Sequence, residues 1–218
     1  MDFMTVLGAG VGAGVVLYVL HHGQMMHFLL NPEAIILIFG GTIGSILISY
    51  PWEALRNIPS AVLMVLIPPK RPQAQRLIAT FIRLAEKARR QGVDSLGAEI
   101  APAEHPFLAD GLQMLVDGLE KEVLLERFER DMVFTRQRHV QVSGVFRAAG
   151  TFAPIFGLLG TLIGVVQVLR NITNPTAMGA SMAVAMTASF YGIFSANFLF
   201  LPIATKLNFY SEEEMLNR

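Results

Sequence analysis

Three hydroxyl side chains, Thr161, Thr187 and Ser189, stand in stretches that otherwise carry almost no polar chemistry. A hydroxyl oxygen in an apolar surrounding can replace part of the hydration shell of a passing cation, so these residues are candidates to line an ion path. Each could equally bond back to a carbonyl of its own helix. Two prolines, Pro154 and Pro202, fall in or beside the same stretches. A proline inside a helix strips the carbonyl four residues earlier of its partner and opens a kink, tolerable in lipid only where packed protein or water satisfies the freed group. The complementary observation is an absence: the apolar stretches contain no Asp, Glu, Lys, Arg or His. Ion and proton pathways through membranes normally use an ionisable group facing the bundle interior. If this chain moves ions, the carboxylate must come from the helix of a partner.

Other chemistry is poorly represented. His21, His22 and His27 form a small cluster with neither a neighbouring carboxylate nor a diagnostic spacing, which reads as a headgroup-level loop rather than a metal site. There is no cysteine, no phosphate loop, no nucleophile elbow and no dinucleotide fingerprint, so nothing indicates an enzyme. Lys87, Arg89, Arg90, Asp94 and Glu99 gather in a polar middle segment; a charge run of this kind is usually a solvated face.

The elements that must hold these residues follow from hydropathy. Of 218 residues, 53% are hydrophobic and 16% charged, against about 25% charged in average globular chains. The apolar excess is concentrated in four charge-free stretches, 3–20, 34–50, 148–169 and 179–205. Each approaches or exceeds the roughly 17–25 residues a helix needs to cross a hydrocarbon core. The N-terminus lacks the basic residues and cleavage site of a signal peptide, so the first stretch is expected to be retained. Fourteen of the seventeen Lys and Arg lie between Arg56 and Arg147. The basic residues flanking the spans, Arg56, Lys70, Arg71, Arg138 and Arg147, place that segment in the cytoplasm, together with both termini.

The expectation is therefore an all-α polytopic membrane protein with four transmembrane helices and a helical cytoplasmic domain between the second and third. Its parts would be a hairpin of spans (1–52), the cytoplasmic domain (53–147), a second hairpin (148–206) and a cytoplasmic end (207–218). Within the cytoplasmic part, 52–67 reads as an interfacial helix stopped by Pro68 and Pro69. Apolar residues at helical spacing (Leu77, Phe81, Leu84 and Ala88, with Ile78, Ile82 and Ala85 adjoining) predict a helix over 73–90 that ends at Gly92. A short helix over 107–118 precedes a long charged one from 120 that could run straight into the third span. Gly8 with Gly12, Gly10 with Gly14, Gly40 with Gly44, and Gly160 with Gly164 have the spacing that lets membrane helices approach closely, within the chain or between copies.

The motifs Phe152-Ala-Pro-Ile-Phe-Gly-Leu-Leu-Gly-Thr-Leu-Ile-Gly and Met182-Ala-Val-Ala-Met-Thr-Ala-Ser-Phe-Tyr-Gly, followed by Phe200-Leu-Pro-Ile-Ala-Thr-Lys-Leu, resemble flagellar stator A subunits of the MotA/PomA family. Pro32-Glu-Ala-Ile-Ile-Leu-Ile-Phe-Gly-Gly-Thr-Ile-Gly and Ala85-Glu-Lys-Ala-Arg-Arg-Gln-Gly extend the resemblance over nearly the whole chain. The motif of spans three and four is shared by the wider MotA/TolQ/ExbB superfamily; the extra N-terminal hairpin favours the MotA branch. The resemblance implies a bacterial inner-membrane homopentamer, in contact with lipid and not nucleic acid, around two MotB/PomB-like single-span subunits that carry the ion-binding aspartate. No cofactor is held tightly; Na+ or H+ is transported. Cytoplasmic charges would push on the flagellar rotor switch protein.

By position, the resemblance assigns hinge roles to Pro154 and Pro202, pathway hydroxyls to Thr161 and Ser189, and rotor contact to Arg89 with Arg90 beside it. The acidic member of the rotor pair falls on Gly97, leaving Asp94 or Glu99 to serve. Thr161 resembles sodium-driven members, whereas Ser189 departs from their threonine; the balance leans to sodium. The competing readings are a TolQ/ExbB-like subunit energising an outer-membrane process and a self-contained solute transporter, which would need substrate-binding polar groups within its own spans.

Overall fold

In the computed structural model the chain is described over residues 3–24, 29–67, 74–102 and 106–216. Among these residues there are helices, turns and no strand. The helices are α1 (Phe3–His22), α2 (Pro32–Ser49), α3 (Trp52–Leu55), α4 (Ile58–Leu66), α5 (Ala74–Gln91), α6 (Gly97–Ile100), α7 (Pro106–Val116), α8 (Lys121–Arg170) and α9 (Pro175–Leu216). Four of them, α1, α2, α8 and α9, are long and apolar enough to cross a membrane. His27, Pro68, Pro69, Lys70 and Arg71, on which parts of the sequence reading rest, lie outside the described residues.

Local chemistry explains most boundaries. Asn31 caps α2 by accepting the Ala34 N–H at 3.1 Å, and Asn174 caps α9 by accepting the Ala177 N–H at 3.2 Å; each is followed by a proline in the first turn. Gly92 ends α5 with φ +83°, a conformation that disfavours any side chain. Two spans are not uniform: α2 widens into a π turn at Ile36–Gly40 and α9 at Ala196–Phe200. In the second, the Leu201 N–H reaches back to the Ala196 carbonyl. That wider winding makes room for Pro202, whose ring would crowd a regular α-helical turn.

The chain divides into two compact units, one of residues 1–68 and 139–209, the other of 69–138 and 210–218. In the first, Ala34 and Ile38 of α2 pack with Ala153 of α8 and Ala188 of α9. A second cluster joins Ala61 and Val65 of α4 to Phe146, Ala204 and Leu207. The expected interfacial helix is thus two pieces, α3 and α4, broken at Arg56-Asn57 ahead of Pro59, with one face of α4 buried and Leu63, Leu66 and Ile67 exposed. The first helix, α1, is the least covered: Gly12 lies under the Phe198 ring, and Lys206 donates to the Thr5 hydroxyl. That bond sets residue 5 beside residue 206, so the start of α1 and the end of the fourth apolar stretch lie on the same side.

In the second unit, Leu84 of α5, Leu96 and Leu112 of α7 form the core, with Ala88, Ile100, Leu108 and Val116 around them. Leu84 and Ala88 therefore face inward as the periodicity predicts, but Ile78, Phe81 and Ile82 are exposed. Among the described residues, the core cluster takes its α5 members, Leu84 and Ala88, from the second half of that helix.

Candidate ion pathway and charged surface

The antiparallel pair α8 and α9 meets along a seam of small residues. A methyl group added at Gly192 would lie 2.6 Å from the Ala153 carbonyl oxygen and 3.1 Å from Gly157 Cα, and one at Gly157 would lie 3.2 Å from the Ala188 carbonyl. Gly160 and Gly164 continue the seam against Ala188 and Ala185. Backbone sits close to backbone here, which small residues such as glycine, alanine and serine permit. Gly40 and Gly44 behave differently: a methyl group at either would meet nothing described within 4 Å, whereas Gly41 between them lies against the Phe156 ring.

Close approach lets a side chain of one helix reach the backbone of the other. The Ser189 hydroxyl donates to the Gly157 carbonyl at 3.2 Å. Thr161 stands one turn beyond Gly157 on the same stripe of α8, about 6 Å along the axis, and is half-buried. Its hydroxyl donates to the Leu158 carbonyl of its own helix at 2.6 Å. Both hydroxyls thus spend their proton on a carbonyl and keep oxygen lone pairs, the groups a cation would use. Thr187 is two residues from Ser189, so it turns to nearly the opposite face of α9, where it is 4% exposed. The fold brings Thr161 and Ser189 to one seam and sets Thr187 apart from it.

The two prolines are linked through their neighbours. Pro154 lies inside α8 and leaves the Gly150 carbonyl without an N–H partner. Gly150 is covered by the side chain of Leu201, a methyl group there falling 2.7 Å from Leu201 Cδ2, and Leu201 immediately precedes Pro202. The neighbourhoods of the two prolines are thus in contact through Gly150 and Leu201. Sequence reasoning missed this link, as it missed both π turns and Thr42. Thr42 is 1% exposed, and its hydroxyl oxygen has no hydrogen-bond partner among the described residues. The only sequence signal for the second π turn was the proline that follows it; for Thr42 there was none.

The charged candidates occupy the second unit. Lys87 of α5 donates to Glu99 of α6 at 2.7 Å, and Arg83 approaches the other carboxylate oxygen of Glu99 at 3.1 Å. The Lys87 hydrogen bond, aided by the charges of Arg83 and Lys87, holds the Glu99 carboxyl below its ordinary pKa of 4.5. Arg89 and Arg90, in the last turn of α5, and Asp94 beyond it are exposed. Gly97 opens α6. Among the described residues no group of three or more His, Asp or Glu is placed to hold a metal.

Four membrane-length helices, a glycine seam between the last two and hydroxyls beside that seam are the features of a multi-span membrane channel subunit. The chain belongs to the MotA/PomA branch of the MotA/TolQ/ExbB proton channel family. That family's model matches residues 99–218, and the model for the N-terminal region of motility protein A matches residues 11–92, which takes in most of the extra hairpin. Chemotaxis protein PomA of Vibrio alginolyticus is 33% identical over 221 residues, covering 100% of this chain and 85% of that protein. Motility protein A of Bacillus subtilis is 32% identical over 193 residues, covering 88% and 72%. Among solved structures, the flagellar MotAB stator complex of Bacillus subtilis is similar with TM-score 0.88 and 30% identity over 100% of this chain and 85% of that one. The fold is also that of C. jejuni MotAB, with TM-score 0.90 at 24% identity over the same shares.

Proposed function

We propose that this chain is the A subunit of a flagellar stator, which couples inward flow of Na+ or H+ across the bacterial inner membrane to torque on the flagellar rotor. The observation that carries the reading is the seam of α8 and α9, where Thr161 and Ser189 offer oxygen ligands and the chain provides no carboxylate. A cation shedding water there needs a compensating negative charge, which a single-span MotB/PomB-like subunit would bring. A pentamer around two such helices would surround the partner with copies of the seam. Pro154 and Pro202, joined through Gly150 and Leu201, are the places where ion occupancy would alter helix bend. Both termini and residues 53–147 face the cytoplasm in this reading, with Arg89 and Arg90 toward the rotor switch protein.

The test is swimming speed in a strain whose only stator contains this chain together with its partner, measured against external sodium at a fixed proton gradient. Speed that rises with sodium and saturates supports sodium coupling; speed indifferent to sodium that collapses with the proton gradient assigns H+. No motility under either gradient, with the complex inserted and its partner bound, refutes the stator reading.

A further inference from the structure

The position where the family resemblance expects a rotor-contacting acid is Gly97, and the nearest candidate to replace it, Glu99, is engaged elsewhere. Its side chain is 17% exposed, while those of its partners Arg83 and Lys87 are 65% and 26% exposed. One carboxylate oxygen serves each cation, so both acceptor sites face α5 rather than solvent. Beside this ion pairing, Leu84 and Ala88 of α5 share a core cluster with Leu96 and with Ile100 of α6. Between the two helices run Gly92, at φ +83°, and a short turn over Val93–Leu96 that buries Leu96, so the pair with Glu99 adds a polar tie to an apolar one.

We infer that Glu99 is a positioning residue: by clamping α6 to Arg83 and Lys87 of α5 it orients the last turn of α5, so that Arg89 and Arg90 alone form the contact with an acidic surface of the rotor. The inference rests on the stator reading above. Its consequence is a division of labour along one helix. Arg83 and Lys87, about two turns and under one turn before the arginine pair, spend part of their charge on the single carboxylate of Glu99. Arg89 and Arg90 keep theirs in solvent, where Glu86 and Asp94 are the exposed acids nearest in sequence. The partner surface that suits this face is rich in carboxylates, with no cation required opposite Glu99.

The clamp and a direct rotor contact make opposite predictions. In cells carrying the full stator, Glu99→Gln should leave complex abundance and ion conduction unchanged while stall torque falls by about twofold or more, because a contact group held loosely by about 1 Å loses much of its effect. Amides of Gly97–Ile100 in the purified complex should exchange several-fold faster. In an Arg83→Gln background, Glu99→Lys should abolish torque and the added Lys87→Glu should restore it. Rescue of Glu99→Lys by charge reversal in the rotor, without help from Lys87→Glu, would overturn the inference, as would unchanged torque in Glu99→Gln. A parallel fall in abundance and conduction would reduce Glu99 to a general stability role and also overturn it. Reversal of Arg89 and Arg90 tests the underlying reading separately: unchanged torque there removes the rotor contact, while the exchange measurement still reports on the clamp.

Discussion

Replacing Gly192 with alanine probes the seam on which the ion-pathway reading depends. The added methyl carbon would sit 2.6 Å from the Ala153 carbonyl oxygen, where ordinary contact begins near 3.4 Å. Because that oxygen and Gly157 Cα are backbone atoms, no side chain can swing aside, and α8 and α9 must part locally by about 0.8 Å. A displacement of that size would stretch the Ser189 to Gly157 hydrogen bond from 3.2 Å to about 4 Å, past any useful geometry. Overpacking of this kind costs about 1–3 kcal/mol, and the lost interhelical bond about 0.6 kcal/mol. The better helix propensity of alanine returns up to about 1 kcal/mol. The net expectation is a loss of about 1–3 kcal/mol, together with impaired conduction. Gly179→Ala is the control, since a methyl group there meets nothing described within 4 Å; it should be neutral or slightly stabilising. Thermal unfolding of the purified complex reads the stability, and swimming speed reads the function. An unchanged unfolding midpoint for Gly192→Ala, in a complex as abundant as wild type, would show that the helices do not approach as described.

Three further outcomes are expected. Thr42→Val keeps the shape of the side chain and removes a buried hydroxyl oxygen that lacks a partner, so it should raise stability by about 1 kcal/mol; a lower midpoint would reveal a partner for that hydroxyl. Thr161→Ala deletes only a bond within α8 and should change stability by less than about 0.5 kcal/mol while altering ion dependence, whereas Ser189→Ala deletes a bond between helices and should lower both; equal stability losses would erase the distinction. Because Glu99 is held below its ordinary 4.5, the clamp contributes fully above that pH and is lost as pH falls through the lower folded value. Exchange protection of α6 should therefore be flat from neutral pH down to about pH 5 and decline only at more acidic pH; a decline near pH 6 would point to a different group.

Much of this architecture was legible in composition. The four spans follow from stretches without charge, and Gly92 marks the end of α5 as its position in the sequence suggested, whereas the caps at Asn31 and Asn174 were found only in the structure. The run of α8 into the third span was also legible, since no proline interrupts its charged half and its first glycine is Gly144. Less legible was α5: periodicity named Ile78, Phe81 and Ile82 with Leu84 as one apolar face, yet among these only Leu84 is buried and the other three are exposed. The apparent single helix after Trp52 contained a break at Asn57 that composition did not show. The hydroxyls of the second hairpin looked alike, although one bonds locally, one bonds across helices and one is turned aside.

The sequence by itself determined the solvent in which each segment is stable, because membrane insertion depends on the summed apolar character of some twenty consecutive residues. It also set the condition that, if the chain conducts ions, a pathway carboxylate comes from another chain. Tertiary structure alone decided which residues serve one another: Ser189 with Gly157, Leu201 over Gly150, Glu99 between Arg83 and Lys87. Such pairs depend on the register and rotation of helices distant in the chain. Those are set by how closely backbones can approach, a property that no local window of residues contains.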